Sequence, residues 1–434
     1  MRTDIVHMGA GELTYEIRNI VNVGMKLQKL GLKTNWENIG DPVAKGEKIP
    51  GWMKEIVAEA VMDDHTYGYC PTRGVLSTRE FLAERTNKRG RAQIDAEDIL
   101  FFNGLGDAIS KVFGFLRRTA RVIVPTPSYS THSSAEAAHA GDRPLTYILD
   151  PNNHWYPDID DIEKNVKYNP AVAGILIINP DNPTGAVYPT EVLEQIVEIA
   201  HRYDLFLICD EIYHNIIYNG MSTSPLSDVI GTVPGIAMKG ISKEMPWPGS
   251  RCGWMEVYNG DKDPMFAKYV TSILNAKMVE VCSTTLPQMV LPRVMQHPEY
   301  QGYLNERIRR YERFSNIAYN CLKDVKGVLV NRPNGAFYMS VCFEDGALNS
   351  RQSLPIANPE IKKLVESLVS PAGTACDKRF VYYLLGATGI CVVPLTSFAT
   401  DLKGFRITLL ERDEDEFVRI FKTIAETIRI YMRS

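Results

Sequence analysis

The chain lacks most of the features that mark a membrane, nucleic-acid or disulfide-stapled protein. Its eight cysteines (70, 209, 252, 282, 321, 342, 376 and 391) are scattered, with no C-x-x-C pair and no histidine-rich metal spacing. That pattern excludes a disulfide framework and leads us to expect reduced thiols in a cytoplasmic protein. The first residues carry no apolar signal region behind a basic start. Charge bias is missing too: 48 Lys and Arg against 52 Asp and Glu leave a net charge of −4. Neither nucleic acid nor an anionic membrane is therefore an expected partner. One uncharged run, residues 381–400, has the length of a membrane span, but Gly386, Gly389 and Pro394 interrupt it and Thr388, Thr396, Ser397 and Thr400 add hydroxyls. It reads as a helix end, a turn and a buried strand, so no membrane span is expected.

What is present fits a globular protein with a large core. The sequence has 434 residues, 45% of them hydrophobic and 23% charged, enough for one big α/β domain with a smaller satellite. Short apolar strands are predicted at 98–102, 121–124, 174–178, 205–210 and 404–409. The run Gly174-Ile175-Leu176-Ile177-Ile178 is nearly continuous, as in a strand buried on both faces. Helical periodicity is found over Tyr15 to Leu30, at 77–88, 191–202 and 299–322, and at the C-terminal end from Glu414 to Arg433. Along 299–322 the apolar face is Leu304, Ile308, Tyr311, Phe314, Ala318 and Leu322. Residues 344–376 are polar, with Ser, Pro and Asn clusters, and read as a surface insertion.

The most informative stretch is Gly240-Ile241-Ser242-Lys243-Glu244-Met245-Pro246-Trp247-Pro248-Gly249-Ser250-Arg251-Cys252-Gly253-Trp254. Its prolines and glycines rule out a long helix, so Lys243 is an amine on a turn and Arg251 a planar cation suited to phosphate. Taken alone, the stretch fits a lysine that holds a phosphorylated aldehyde as a Schiff base, and equally a loop with two solvated cations.

Ser-Lys, then Pro-Gly, then Arg-x-Gly-Trp resembles the lysine motif of fold-type I pyridoxal-phosphate enzymes, the class I/II aminotransferase family. The heptad Asn179-Pro180-Asp181-Asn182-Pro183-Thr184-Gly185 is the next most specific match. The resemblance runs from about Gly40 to Arg406. It implies an α/β fold: a large domain (61–315) with a mostly parallel mixed sheet sandwiched by helices, and a smaller α+β domain formed by both chain ends (1–60 and 316–434).

It also implies a role for each matching residue. Leu105, Gly106 and Asp107, at a strand-to-helix turn, become main-chain phosphate contacts, a position where free N–H groups gather anions in any case. Ser242, Lys243 and Arg251 touch the cofactor, and Tyr129 is the aromatic plate beneath its ring. Asn182 and Tyr213 hydrogen-bond the ring oxygen. Asp210, a carboxylate ending an apolar strand, pairs with the pyridinium N–H. Gly40 lies near the substrate carboxylate at the start of a covering segment, and Arg406, on an apolar strand, binds that carboxylate. Tyr69, followed by Gly74, corresponds to a tyrosine that crosses a dimer interface to the partner's phosphate, so a homodimer with shared sites is implied. Lys243 is expected to take the Cα proton and return it to the cofactor carbon.

Two positions depart from the family pattern: Gly240 replaces a frequent serine, and Leu395 a usual glycine. A β-eliminating C–S lyase or a γ-eliminating synthase on the same fold shares nearly every residue named. A ligand sensor carrying a DNA-binding module is a third reading, against which the family match begins within the first forty residues. Where some relatives place a dimer-partner arginine for acidic substrates, this chain reads Ala276-Lys277-Met278-Val279-Glu280-Val281. The expected reaction is therefore transfer of an amino group between a neutral aliphatic or aromatic amino acid and a 2-oxo acid, with no metal.

Overall fold

A computed structural model describes every residue except 1, 4, 14, 15 and 90. Its centre is an eight-stranded sheet, whose strands we number in chain order: β1 (Ile99–Phe102), β2 (Arg121–Thr126), β3 (Thr146–Asp150), β4 (Tyr156–Pro157), β5 (Val172–Ile178), β6 (Phe206–Asp210), β7 (Gly235–Gly240) and β8 (Gly253–Tyr258). The spatial order is β1-β8-β7-β6-β5-β2-β3-β4. The run from β7 to β3 is parallel, and β8 is antiparallel to both neighbours, which leaves β1 pointing with the parallel set.

The near-continuous apolar pattern of β5 has the expected cause. Ile175 and Ile177 belong to one core, while Leu176 and Ile178 belong to another on the opposite face. Helix Leu105–Gly114 covers the second face, and helices Ile159–Tyr168 and Thr190–Arg202 cover the first. Each fully buried Ile or Leu of these strands contributes roughly 1.5–3 kcal/mol.

A separate core surrounds a four-stranded antiparallel sheet of β9 (Val328–Val330), β10 (Tyr338–Phe343), β11 (Val393–Pro394) and β12 (Gly404–Thr408), in the order β9-β10-β12-β11. The long helix Tyr300–Leu322 and the C-terminal helix Glu414–Tyr431 pack together in this core, both within two residues of their expected limits. The N-terminal helix is Glu16–Lys29: Ile20, Val23 and Leu27 are buried, Met25 is exposed, and Tyr15 lies outside the described residues.

The run 381–400 is the end of helix Cys376–Thr388, a left-handed Gly389 cap, and short strands. Among the described residues no helix is long and apolar enough to cross a membrane, and all eight cysteines are free thiols. Residues 344–376 correct our expectation. Leu354 and Ile356 are buried, and helix Pro359–Val369, capped by the Asn358 side chain, buries Ile361, Val365 and Val369. This segment is part of the second core.

Candidate active site

Because β1 and the parallel strands end along one sheet edge, the loops that follow them converge there, which is where open α/β sheets place ligands. A cavity of about 520 Å³ lies at this edge, within the range of small-molecule sites. Leu105 and Gly106 reach it from the β1 turn, Tyr129 from the loop after β2, Asn182 from the turn after β5, and Asp210 and Tyr213 from the end of β6. Ser242, Lys243 and Arg251 arrive from the β7–β8 connection, Gly40 from the N-terminal segment and Arg406 from β12. Two expected residues are not among its lining. Tyr69 is 86% exposed. Asp107 directs its carboxylate to Lys111 and Lys277, and accepts the Asn103 N–H at 2.9 Å.

Lys243 is the electrostatic centre. Its Nζ donates to the Gly40 carbonyl at 2.7 Å. Burial lowers its pKa to about 8, with Arg406 and Arg251 pushing the same way and Asp41 and Asp210 opposing. The turn is held from behind by Arg307, which donates to the carbonyls of Lys243 (2.9 Å) and Glu244 and forms a buried ion pair with Glu47.

Asp210 is buried, and its Oδ2 lies 2.9 Å from Nε2 of the fully buried His132. With Asp210 ionised, that nitrogen carries the proton. The Tyr213 hydroxyl is 3.0 Å from that of Tyr338. Arg406, 2% exposed, donates to the Asn38 carbonyl and to Asn182 Oδ1 at 3.3 Å. Its guanidinium sits 4.6 Å from the Tyr338 ring centroid and 5.1 Å from that of Phe398, which fixes the plane of the fork. A Cβ on Gly40 would stand 2.0 Å from the Tyr338 hydroxyl, so this close approach requires glycine.

The residues fit pyridoxal phosphate. Helix Leu105–Gly114 opens toward the cavity with the N–H groups of its first turn, and the Arg251 guanidinium closes over Gly104, where a Cβ would be 2.3 Å from its Nη2. Arg251 holds a left-handed backbone (φ 51°) beside the cavity, an uncommon conformation that its neighbours must enforce. A buried carboxylate suited to a ring N–H, an amine of lowered pKa and an anion cradle thus share one cavity. Asn38 adds buried side-chain N and O atoms without partners among the described residues.

The two departures are explained locally. A Cβ on Gly240 would meet Ile212, the Cys252 carbonyl and Gly253 within 3.0–3.3 Å, and this residue does not line the active-site cavity. Leu395 is buried and begins a 3-10 turn without a left-handed backbone, so glycine is not demanded there.

Sequence reasoning missed His132, Tyr338, Arg307 and Arg18. Arg307 left a signal, a charged residue between Leu304 and Tyr311 on the buried helix face. His132 and Tyr338 left none, because their partners lie 78 and 125 residues away.

The aminotransferase class I and II family model matches residues 34–421. An uncharacterised aminotransferase of Methanocaldococcus jannaschii is 62% identical over 434 residues, covering all of both chains. The glutamate-pyruvate aminotransferase AlaA of Escherichia coli is 32% identical over 330 residues, covering 75% of this chain and 79% of that protein. Among solved structures, an alanine aminotransferase of Pyrococcus furiosus superposes with a TM-score of 0.82 at 28% identity, covering 97% of this chain and 98% of that one. By sequence, fold and cavity alike, the chain belongs to the class I and II aminotransferase family, whose members use pyridoxal phosphate to move amino groups.

Proposed function

We propose that Lys243, Asp210 and Arg406 carry the transamination, and that the amino acid exchanged is neutral, aliphatic or aromatic, with alanine foremost. The observation behind this reading is that a lysine amine of lowered pKa and a buried arginine fork face the same cavity. The naming of relatives for alanine or for glutamate and pyruvate supports the choice of alanine.

Bound pyridoxal phosphate supplies an aldehyde that takes up the substrate amine and a ring that accepts the electron pair left on Cα. The protein's residues do the rest. Arg406 grips the α-carboxylate in its fork and so orients the Cα–H bond. Lys243, whose pKa burial lowers to about 8, would take the Cα proton and return it to the cofactor's aldehyde carbon, across the substrate nitrogen. Asp210, steadied by His132, holds the proton of the ring nitrogen, while Asn182 and Tyr213 face the ring oxygen and Tyr129 supports the ring. Leu105, Gly106 and Asp107 offer main-chain N–H groups to the phosphate beside Ser242 and Arg251. The segment from Asn38 to Glu47, latched by the Lys45–Glu37 and Glu47–Arg307 pairs, keeps water from the cavity.

On the same reading the enzyme is a cytoplasmic homodimer, with its domain boundaries near residues 60 and 315. Tyr69 of each protomer serves the partner's phosphate, which accounts for its exposure alongside Tyr67 and Met62.

The test is a half-reaction screen that follows loss of cofactor aldehyde absorbance with the twenty amino acids, for the parent and Arg406→Lys. Alanine should rank among the fastest substrates, and the loss of fork geometry should slow all amino acids together. Preference for a cationic amino acid, or an unaltered Arg406→Lys enzyme, refutes the reading.

A further inference from the structure

Lys243 and Glu244 are neighbours on the turn between β7 and β8, yet they face different spaces. Lys243 lines the active-site cavity, whereas Glu244 lines a second, much smaller one of about 50 Å³ behind the turn. Arg85, Arg89, Glu211, His214, Lys239 and Glu256 are the other titratable groups in its walls. Glu244 is 9% exposed, and burial raises the pKa of its carboxyl against Asn215, Arg85, Arg307 and Lys239, which favour the charged form. A carboxyl so placed destabilises the fold unless its oxygens find donors. Both do. Oε1 accepts the Tyr300 hydroxyl, and Oε2 accepts the Asn215 amide at 2.7 Å.

The two donors come from elements that matter to the site. Asn215 lies two residues beyond Tyr213 on the tight turn that follows Asp210, where the His214 N–H donates to the Glu211 carbonyl at 2.9 Å and the Ile216 N–H to the Tyr213 carbonyl at 2.8 Å. Tyr300 begins the long helix that also carries Arg307. The lysine turn depends on such anchors because it has little bonding of its own. Among the described residues, no backbone N–H from Ser242 to Met245 donates to another backbone group. Among the same residues, the Asn215–Glu244 bond is the one hydrogen bond that joins residues 241–247 to residues 211–216.

We infer that Glu244 is a positioning residue for the transamination: its carboxyl ties the lysine turn to the turn bearing Tyr213 and to the long helix, and so fixes where the Lys243 amine stands relative to the groups that hold the cofactor ring. The inference rests on the reading that Lys243 moves the proton. Arg307 holds the same turn at two carbonyls, from the long helix alone. Without Glu244 the amine loses its register with Asp210 and Tyr213, and a misplacement of about 1 Å is worth on the order of 100-fold in rate.

The experiment compares holoenzymes of the parent, Glu244→Ala, Glu244→Gln, Tyr300→Phe and Lys243→Ala, using the amino acid that reacts fastest in the half-reaction screen. Glu244→Ala should lose about 10- to 100-fold in kcat with KM nearly unchanged, because the fork at Arg406 is intact. Its pH profile should move as well. In the parent the lower limb of kcat follows the Lys243 amine, which burial, Arg406 and Arg251 push down and Asp41 and Asp210 push up. An amine released from that place titrates closer to the ordinary lysine value, so the limb moves to higher pH. Glu244→Gln should recover most of the rate and the parental pH dependence, since Gln Oε1 accepts from Tyr300 and a flipped Asn215 amide accepts from Gln Nε2. Tyr300→Phe removes one anchor and should show a smaller loss of the same kind; if Glu244→Ala does not fold, parental kinetics in Tyr300→Phe overturn the role. So do parental kcat in Glu244→Ala, a loss of rate without movement of the limb, and a Glu244→Gln enzyme as slow as Glu244→Ala, while an inactive Lys243→Ala leaves the reading of the lysine standing. Parental turnover in Lys243→Ala refutes that reading instead.

Discussion

Lys239 and Lys243 lie within a few residues of each other, both withdrawn from water, yet their amines are driven in opposite directions. Burial alone lowers the pKa of each. At Lys239, Glu256 Oε2 stands 2.8 Å away and Glu211 Oε2 3.5 Å, and these carboxylates more than offset desolvation, so its pKa is raised. At Lys243 the nearest partner is a neutral carbonyl and two arginines face the amine, so the pKa falls to about 8. Burial therefore does not by itself make a reactive lysine. What distinguishes the two is that Lys239 touches two carboxylates, whereas Asp41 and Asp210 act on Lys243 only from beyond contact and do not offset its burial and the two arginines.

The sharpest test is deletion. Lys243→Ala should cost at least ~10⁴-fold in turnover, the upper range for a lost general base, with the fold intact. Circular dichroism should match the parent; residual turnover within a hundredfold would break the contrast. Lys239→Met should do the converse. It strands Glu256 and Glu211 together, although Glu256 keeps donors from Thr86, Trp254 and Tyr258. Stability in urea should drop by about 3–5 kcal/mol, as when a buried pair loses one partner. A drop below 1 kcal/mol would mean that the pair is not needed.

Charge state offers a finer comparison. In the cofactor-free protein, pulsed acylation read by peptide mass should modify Lys243 with a midpoint near pH 8, while Lys239 resists throughout the ordinary lysine range. The linked effects on folding have opposite signs. Lys243 has a folded pKa below its ordinary 10.5, so it opposes folding below about pH 8, and this penalty fades as pH rises from about 8 to 10.5. Lys239 stabilises the fold below 10.5 and loses that contribution as pH climbs through its raised value.

The smallest predicted effect extends the rule to an acid. Among the described residues, buried Asp181 has no cation beside it and leaves Oδ1 without a partner, while Oδ2 accepts from the Thr184 N–H and hydroxyl. Burial raises its pKa to about 7 against the help of Thr184, so ionising it penalises the fold increasingly from pH 3.8 to about 7. Asp181→Asn should leave the melting temperature unchanged at pH 4 and stabilise the protein by roughly 1–3 kcal/mol at pH 8. A loss of stability at pH 8 would show that the carboxylate has a partner after all.

The contrast between the lysines also marks how far the sequence could be read. That Lys243 sits on a turn and Asp210 ends a strand follows from neighbouring residues, and helices such as 299–322 follow from apolar spacing. Glu256, which pairs with Lys239 across the β7–β8 register, and His132, which meets Asp210 across the sheet edge, depend on tertiary contacts that no local pattern encodes. Residues 344–376 failed for a different reason. Their Ser, Pro and Asn clusters suggested a surface segment, yet Ile361, Leu364, Val365, Leu368 and Val369 recur at helical spacing and pack into the second core.

Arg307 gives the molecule a shared point of failure. Its guanidinium meets Glu47 of the covering segment and the carbonyls of Lys243 and Glu244 on the lysine turn, from a helix belonging to the second core. A local opening that frees Glu47 leaves a buried cation short of its counter-ion, and the carbonyls it was holding lose their anchor in the same event. The cover, the reactive turn and the long helix are thus one cooperative unit. Loosening the edge of this unit therefore loosens its centre as well.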